Sequence, residues 1–230
     1  AIICCDGILI DVLKAGITPD KFPNFYVVTI DPVEKIKMYY DHELIKKYGP
    51  KINGIFSTIT YPEVVKIARE HDVKINWLHT LFDYFESKKS FNRVSGLMVR
   101  AVNHKHGLPG IQTGGNVGTA AWFVAWQILK CKNICLIGIN HGWEDDDPWD
   151  LIVSHGFDAK SQNVERDSEI GKKLFPRIYN PDFNTYCIMD PIFQYYSNAL
   201  KEFISRSPNW VKTINATQGG SIFGKNIQSM

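Results

Sequence analysis

No apolar run in this sequence approaches the roughly 20 residues that a membrane-spanning helix requires, and no signal peptide is visible. Charge of one sign is also lacking. The formal net charge is +2, which gives no global attraction to nucleic acid or an anionic membrane, so neither is expected as a partner. Cysteine is scarce and odd in number: Cys4, Cys5, Cys131, Cys135 and Cys187. Most lie in strand-like or helix-end contexts beside Ile and Leu, which reads as reduced core thiols in a cytoplasmic protein. Cys131-x-x-x-Cys135 has no second pair and makes no zinc knuckle. The glycine-rich stretch at 112–118 is followed by no Lys-Ser/Thr and lacks dinucleotide spacing, so it is neither a P-loop nor that fingerprint. No Ser-His-Asp or Cys-His arrangement stands out, and no catalytic side chain can be named. Internal repeats and low-complexity segments are absent as well.

What is present is an alternation of strands and helices. Strands are expected at 1–5, 25–30, 54–57, 74–78, 134–139, 185–189 and 211–214. A helix after Asp6-Gly7 turns Ile8, Leu9, Val12 and Leu13 inward and is closed by Gly16. Helical segments follow over 33–48, from Pro62 to Glu70, after the glycine stretch, and from Pro191 onward. Strands alternating with helices imply right-handed βαβ units. The expected fold is therefore α/β and Rossmann-like, a mostly parallel sheet with helices on both faces, in one domain over 1–230. Residues 80–110 read as irregular and basic. Residues 141–184 show little periodicity and read as an irregular, lid-like insertion. Residues 1–5 open inside a buried strand with no lead-in, so an upstream element is expected to be missing.

The glycine stretch Gln112-Thr113-Gly114-Gly115-Asn116-Val117-Gly118 is the most informative segment. Glycines beside a helix start let backbone N–H groups approach a ligand without an intervening Cβ, and the helix dipole there favours negative charge. Thr113, Gly114, Gly115, Asn116 and Gly118 are the candidate anion contacts, with Asn116 or Thr113 able to cap the helix. In parallel sheets ligands bind outside the carboxyl ends of the strands. Asp6, Asp31, Ser57, His79, Asn140 and Asn215 each follow an apolar strand and so share one expected address. A carboxylate at Asp6 or Asp31 can hold Mg²⁺ or a ribose hydroxyl; equally, Asp6 can cap a helix and Asp31 can begin an Asp-Pro turn. The run Glu144-Asp145-Asp146-Asp147 reads as a solvated loop, because consecutive acids cannot all face one ion. His104-Lys105-His106 reads as exposed.

Several of these segments, taken in order, resemble the 6-hydroxymethylpterin diphosphokinase MptE-like family, which includes an archaeal pterin enzyme and bacterial motility-accessory-factor proteins. The matching elements are Ile2-Ile3-Cys4-Cys5-Asp6-Gly7, Gly16-Ile17-Thr18-Pro19-Asp20, Val28-Thr29-Ile30-Asp31, Gly115-Asn116-Val117-Gly118, Cys135-Leu136-Ile137-Gly138-Ile139 and Asn215-Ala216-Thr217-Gln218-Gly219-Gly220. Two departures stand out: the family's upstream strand and Gly-Pro-Ser phosphate loop are not in this sequence, and Asn140 stands where members often carry Asp. The resemblance implies a nucleotide-dependent transferase. Its archaeal branch implies Mg²⁺-dependent diphosphate transfer from ATP to 6-hydroxymethyl-7,8-dihydropterin. The bacterial branch implies sugar transfer from a nucleotide sugar, and a non-catalytic nucleotide-binding module is the third reading. In the first, Asp6 and Asp31 are metal or ribose ligands, Gly114 to Gly118 the anion cradle, and Asn140 and Asn215 orienting groups. The partners implied are a small-molecule nucleotide and an acceptor.

Overall fold

The computed structural model describes residues 1–81, 85–86, 89–90, 92–93, 96, 108–156 and 164–230. The chain divides into two compact units, Ala1–Leu129 and Lys130–Met230.

In the first unit, short β-branched and aromatic runs form β1 (Ile2–Cys5), β2 (Phe25–Thr29), β3 (Asn53–Ser57) and β4 (Lys74–Thr80). A separate antiparallel pair, β5 (Phe85–Glu86) and β6 (Lys89–Ser90), precedes β7 (Gly110–Ile111). The main sheet has five strands in the order β1-β2-β3-β4-β7, and every neighbouring pair is parallel. Four helices join its first four strands: α1 (Leu9–Lys14), α2 (Lys37–Tyr40), α3 (Glu43–Tyr48) and α4 (Pro62–Glu70). Because β1 to β4 lie side by side in chain order, right-handed crossovers put these helices on one face. The core there joins Leu9, Leu13, Phe25, Val27, Tyr40, Ile45, Phe56 and Val64. Burying one such aliphatic or Phe side chain contributes about 1.5–3 kcal/mol.

Alternation along β2 turns Val28 to the opposite face, where it is also fully buried. On that side α5 (Val117–Phe123), continuing as a π-helical turn over Val124–Ile128, packs beside β1 and β2. Helices thus cover both faces of a parallel sheet, the α/β Rossmann-like arrangement the sequence predicts. Local signals account for the ends of the helices. Pro62 occupies the first turn of α4, where its missing N–H costs nothing. Gly16 (φ +79°) closes α1. Ile8, expected to face inward, is instead 47% exposed. It belongs to a 3₁₀ turn over Asp6–Ile8, whose tighter winding takes it off the Leu9–Leu13 stripe.

The second unit contains β8 (Asn133–Leu136), α6 (Trp149–Gly156), α7 (Glu169–Leu174), β9 (Arg177–Asn180), β10 (Thr185–Ile188), α8 (Pro191–Ser205), β11 (Lys212–Asn215) and β12 (Ile227–Ser229). Its sheet has the order β12-β11-β8, all parallel, and β9 and β10 form an antiparallel hairpin. Three expectations change. The strand at 134–139 stops at Leu136, because Gly138 (φ +71°) leaves the extended region. A further strand, β12, follows β11 after turns at Gly224 (φ +118°) and Asn226 (φ +65°). Residues 141–184 are not irregular throughout but include α6, α7 and β9. These short elements are held by a cluster of Ile152, Phe175 and Ile188 with Trp143, Trp149, Val164 and Leu174, not by a long amphipathic period. Most of the basic stretch, including Lys88, Arg100 and His104-Lys105-His106, lies outside the described residues. No described helix is long and apolar enough to cross a membrane.

Candidate functional site

The carboxyl ends of the first sheet gather polar groups where the apolar strands stop. β1 ends in Cys5, and the next residue, Asp6, is only 5% exposed. Its Oδ1 accepts the Gly7 N–H at 2.8 Å, while no donor meets its buried Oδ2 with hydrogen-bond geometry, the Thr29 hydroxyl acting on the carboxyl only as a lesser influence than burial. A buried carboxylate oxygen without a donor is costly unless something positive meets it. Burial pushes the Asp6 carboxyl up to about 6, and the negative charge of Asp31 adds to the rise; the Gly7 N–H and the Thr29 hydroxyl oppose it. Asp31, two residues past the end of β2, is half-buried, and burial raises its pKa too. The structure therefore brings the two acids into one electrostatic neighbourhood. Burial, with Asp6 and Asp31 adding negative charge, pushes the Cys5 thiol up to about 12, so it stays protonated beside them.

Hydroxyl groups extend this edge. Thr29 Oγ1 and Tyr40 Oη, both fully buried, share a 2.6 Å hydrogen bond behind Asp6, and Thr60 Oγ1 donates to the Thr29 carbonyl at 3.2 Å. Ser57 Oγ lies 3.2 Å from Thr80 Oγ1, and Thr58 Oγ1 lies 2.9 Å from His79 Nδ1. Ser57 and His79 thus stand at the strand ends as expected. Thr29, Thr58, Thr60 and Tyr40 were not anticipated; Thr29 ends its strand just as the acids follow theirs, and that position was the available signal. Beyond them an open cleft of about 600 Å³ between α4 and the ends of β3 and β4 is lined by Thr58, Thr60, Lys66, Arg69 and Trp77.

The glycine turn follows β7. Gly114 (φ +57°) and Gly115 (φ +85°) adopt left-handed backbone conformations that side chains resist. Asn116 is the helix cap: its Oδ1 accepts the Thr119 N–H at 2.8 Å, and its Nδ2 reaches Thr119 Oγ1 at 3.0 Å. Thr113 Oγ1 accepts the Gly115 N–H at 3.3 Å. The Asn116 side chain and the Thr113 hydroxyl thus shape the turn itself. The Val117 and Gly118 N–H groups have no acceptor among the described residues. β7 and β1 stand at opposite sides of the sheet, about 19 Å apart at ordinary strand spacing. The helix that the turn starts nevertheless packs beside β1 and β2, the strands that carry Asp6 and Asp31.

Asn140 and Asn215 do not share that sheet. Their strands, β8 and β11, pair with each other and with β12, so the six strand-end residues are divided between two sheets. Asn215 is fully buried and committed to its own loop: Oδ1 accepts the Thr217 N–H at 2.9 Å and Nδ2 donates to the Ile222 carbonyl at 2.7 Å. Asn140 lies under the same loop, its carbonyl accepting the Ser221 N–H at 2.8 Å. The acid run is held by arginine. Arg177 binds both carboxylate oxygens of Asp145, with Nε at 2.9 Å from each, and Arg166 lies 3.5 Å from the same group. Asp147 Oδ2 accepts the Glu144 N–H at 2.8 Å. Among the described residues no group of three or more metal-ligating side chains exists. All five cysteines are free; Cys135, expected in a core, is exposed on β8.

One constellation of the second unit escaped the sequence reading. Asp190, fully buried, caps α8 and also accepts hydrogen bonds from Trp143 and His155. A Met-Asp-Pro step before an apolar helix was the readable signal for the cap; the long-range partners carried none. Nearby, His141 (φ +43°) is buried against Phe193 and Tyr196, and burial pushes its imidazole down to about 4.

No curated protein and no solved structure gives a significant match to this chain. A family model does, and it covers residues 1–146, from β1 through the glycine turn and β8 into the acid run. That span includes Asp6, Asp31 and the whole parallel sheet of the first unit, and the chain belongs to the 6-hydroxymethylpterin diphosphokinase MptE-like family.

Proposed function

We propose that the protein is a nucleotide-dependent transferase that moves diphosphate from ATP to the hydroxymethyl group of a reduced pterin, 6-hydroxymethyl-7,8-dihydropterin, with Mg²⁺. The family supports the transferase class; the observation that carries the reading to a site is the orphaned, buried Oδ2 of Asp6 beside Asp31. These residues fit the ion. Magnesium takes hard oxygen ligands, usually one or two protein carboxylates with the remaining positions left to water and substrate phosphates. A pair of acids with one unsatisfied oxygen matches that demand, and a cation beside Asp6 favours the ionised form that burial alone disfavours. When bound, the ion supplies charge neutralisation for the transferring phosphates.

The chain's own residues do the rest by position. Asp6 is fixed by the Gly7 N–H, and the Thr29–Tyr40 pair packs the wall behind it. The first-turn N–H groups of α5, shaped by Thr113, Gly114, Gly115, Asn116 and Gly118, are suited to phosphate oxygens. Such oriented dipoles stabilise charge as it develops, without reorganising during the reaction. Asn140 and Asn215 act, on this reading, by shaping the loop of the second unit.

The test is product analysis. Attack at the β-phosphorus leaves the α-phosphate on the nucleoside, so the full-length protein should form AMP from ATP only when the pterin and Mg²⁺ are present. Release of a nucleotide from a sugar donor with no use of ATP would establish sugar transfer instead. Nucleotide binding without turnover of any donor would establish a binding module.

A further inference from the structure

We propose that the cleft beside α4 in the first unit is the acceptor subsite. It holds the flat ring of the reduced pterin along Trp77, with the amino-pyrimidinone end toward Arg69 and Glu70 and the hydroxymethyl end toward Thr58. The cleft and its lining stand on the geometry of that one unit; the pterin as occupant rests on the transferase reading above.

β3 and β4 pair Phe56 with Trp77, so both side chains point to the face that α4 covers. Phe56 is fully buried and meets the indole edge-on, with ring centroids 6.4 Å apart. Trp77 is only half-buried: it packs against that core and also lines the cleft. β7 pairs with β4 only at His79 and Thr80, so no described strand flanks Trp77 on that side. The cleft offers about 600 Å³, a volume typical of small-molecule sites. Its two ends differ in chemistry. α4 runs back along the strands it joins, so Pro62 stands at the carboxyl edge and Glu70 about 12 Å away toward the amino edge. At the near end Thr58 is exposed, with Oγ1 2.9 Å from His79 Nδ1, and Thr60 Oγ1 donates to the Thr29 carbonyl at 3.2 Å. The far end carries Glu70 and Arg69, whose guanidinium carbon lies 6.0 Å from the Trp77 ring centroid. Among the described residues neither of these two enters an ion pair, whereas Lys66 between the ends is held 3.1 Å from Glu63.

A reduced pterin is a flat ring system with a different chemistry at each end, as this cleft has. Its amino-pyrimidinone edge presents two N–H donors and a carbonyl oxygen. A carboxylate accepts from the donors and a guanidinium donates to the carbonyl, and Glu70 and Arg69 supply that pair. An indole offers such a ring a stacking surface. A free phosphate would leave the indole unused and would be repelled by Glu70, and a hydrocarbon would leave both charges unanswered. Adenine has an amino group with no adjoining ring N–H, so it cannot give Glu70 two donors. Guanine carries the same edge as the pterin, which makes a guanine nucleotide the competing source of this chemistry. The orientation then follows. With its amino end at Glu70, the pterin directs its hydroxymethyl group to the carboxyl edge. There the strand order β1-β2-β3-β4-β7 puts Thr58, just past β3, between Asp6 and Asp31 on one side and the glycine turn on the other. At ordinary strand spacing β3 stands about 5 Å from β2 and about 10 Å from β1, the strands that the two acids follow.

Calorimetric titration of the full-length protein with 6-hydroxymethyl-7,8-dihydropterin, in the presence of Mg²⁺ and a non-hydrolysable ATP analogue, tests this. Trp77→Leu should weaken pterin binding by about 10- to 100-fold, and Trp77→Phe by much less. Glu70 is exposed, so Glu70→Gln keeps the fold; it should weaken pterin binding by about 10-fold. The analogue with oxygen in place of the 2-amino group reads the edge directly. Wild type should bind it at least about 10-fold more weakly than the pterin, and Glu70→Gln should lose that preference. Affinity for the ATP analogue should be the same in all these variants. Unchanged pterin affinity in a folded Trp77→Leu, or in Glu70→Gln, overturns the subsite while the transferase reading stands. So does a loss of ATP-analogue affinity in place of pterin affinity. A guanine nucleotide that displaces the pterin and itself loses affinity in Glu70→Gln gives the cleft to that nucleotide and overturns the acceptor assignment. If wild type binds no pterin under any of these conditions, the pterin transferase reading fails and the subsite with it.

Discussion

Asp6 shows how one residue joins stability to ligand chemistry. Its folded pKa lies near 6 against an ordinary 3.8, mainly through burial. A raised folded pKa means that the stabilising contribution is complete below about 3.8 and is lost as pH rises through about 6. Fully ionised Asp6 then costs about 3 kcal/mol relative to the neutral acid. Asp6→Asn should therefore raise the thermal midpoint of the metal-free protein at pH 8 and flatten its decline between pH 4 and 8. Mg²⁺ with nucleotide should stabilise wild type at pH 8 and leave the variant nearly unmoved. A variant less stable than wild type at pH 8 would show that Oδ2 has a partner of its own. A second comparison separates the acids. Asp31→Asn should weaken Mg²⁺-dependent nucleotide binding more than Asp147→Asn, because Asp31 adjoins Asp6 while Asp147 accepts a backbone N–H within an exposed turn. Calorimetric titration giving equal losses, or the larger loss at Asp147, reverses the assignment.

Among the elements, the two glycine loops make opposite demands. Gly115 has φ +85° and stands open to solvent, so Gly115→Ala strains the turn by about 1 kcal/mol but should leave the helix capped by Asn116. If the turn cradles an anion, nucleotide at about 100 times its Kd stabilises wild type by about 2.7 kcal/mol, and the variant should lose most of that shift. An unchanged shift in differential scanning fluorimetry would reduce the turn to a cap. Gly220 is different. It has φ +73°, and a Cβ there would lie 2.4 Å from the Asn140 carbonyl oxygen. Gly220→Ala should cost about 2 kcal/mol or more in urea unfolding. A neutral result would mean that the loop is free to shift.

How far the sequence speaks follows from the range of each signal. Pro62, Gly16 and the Asn116 cap act within a turn, and the strands around them fall close to their expected bounds. Sheet membership is a long-range property. Nothing near Asn140 or Asn215 states that β8 and β11 pair with β12, and these two residues could not be separated from Asp6 and Asp31 by pattern alone. Nor does periodicity reveal α6 or α7, whose anchors are single aromatics such as Trp149 and Phe175. The missed contacts of Asp190 span 35 and 47 residues, beyond any motif.

At the scale of the whole molecule, phosphate and metal handling is proposed for the strand ends of the first unit, where Asp6 and Asp31 stand. The most direct measurement follows the phosphorus. Full-length protein is incubated with Mg²⁺, ATP and 6-hydroxymethyl-7,8-dihydropterin, and the products are resolved by phosphorus NMR. AMP and a pterin diphosphate are expected in equal amounts, both dependent on the pterin and on Mg²⁺, and both lost in Asp6→Asn. ATP left intact beside a nucleotide-sugar donor that is consumed, or AMP formed at the same rate by Asp6→Asn, would contradict it.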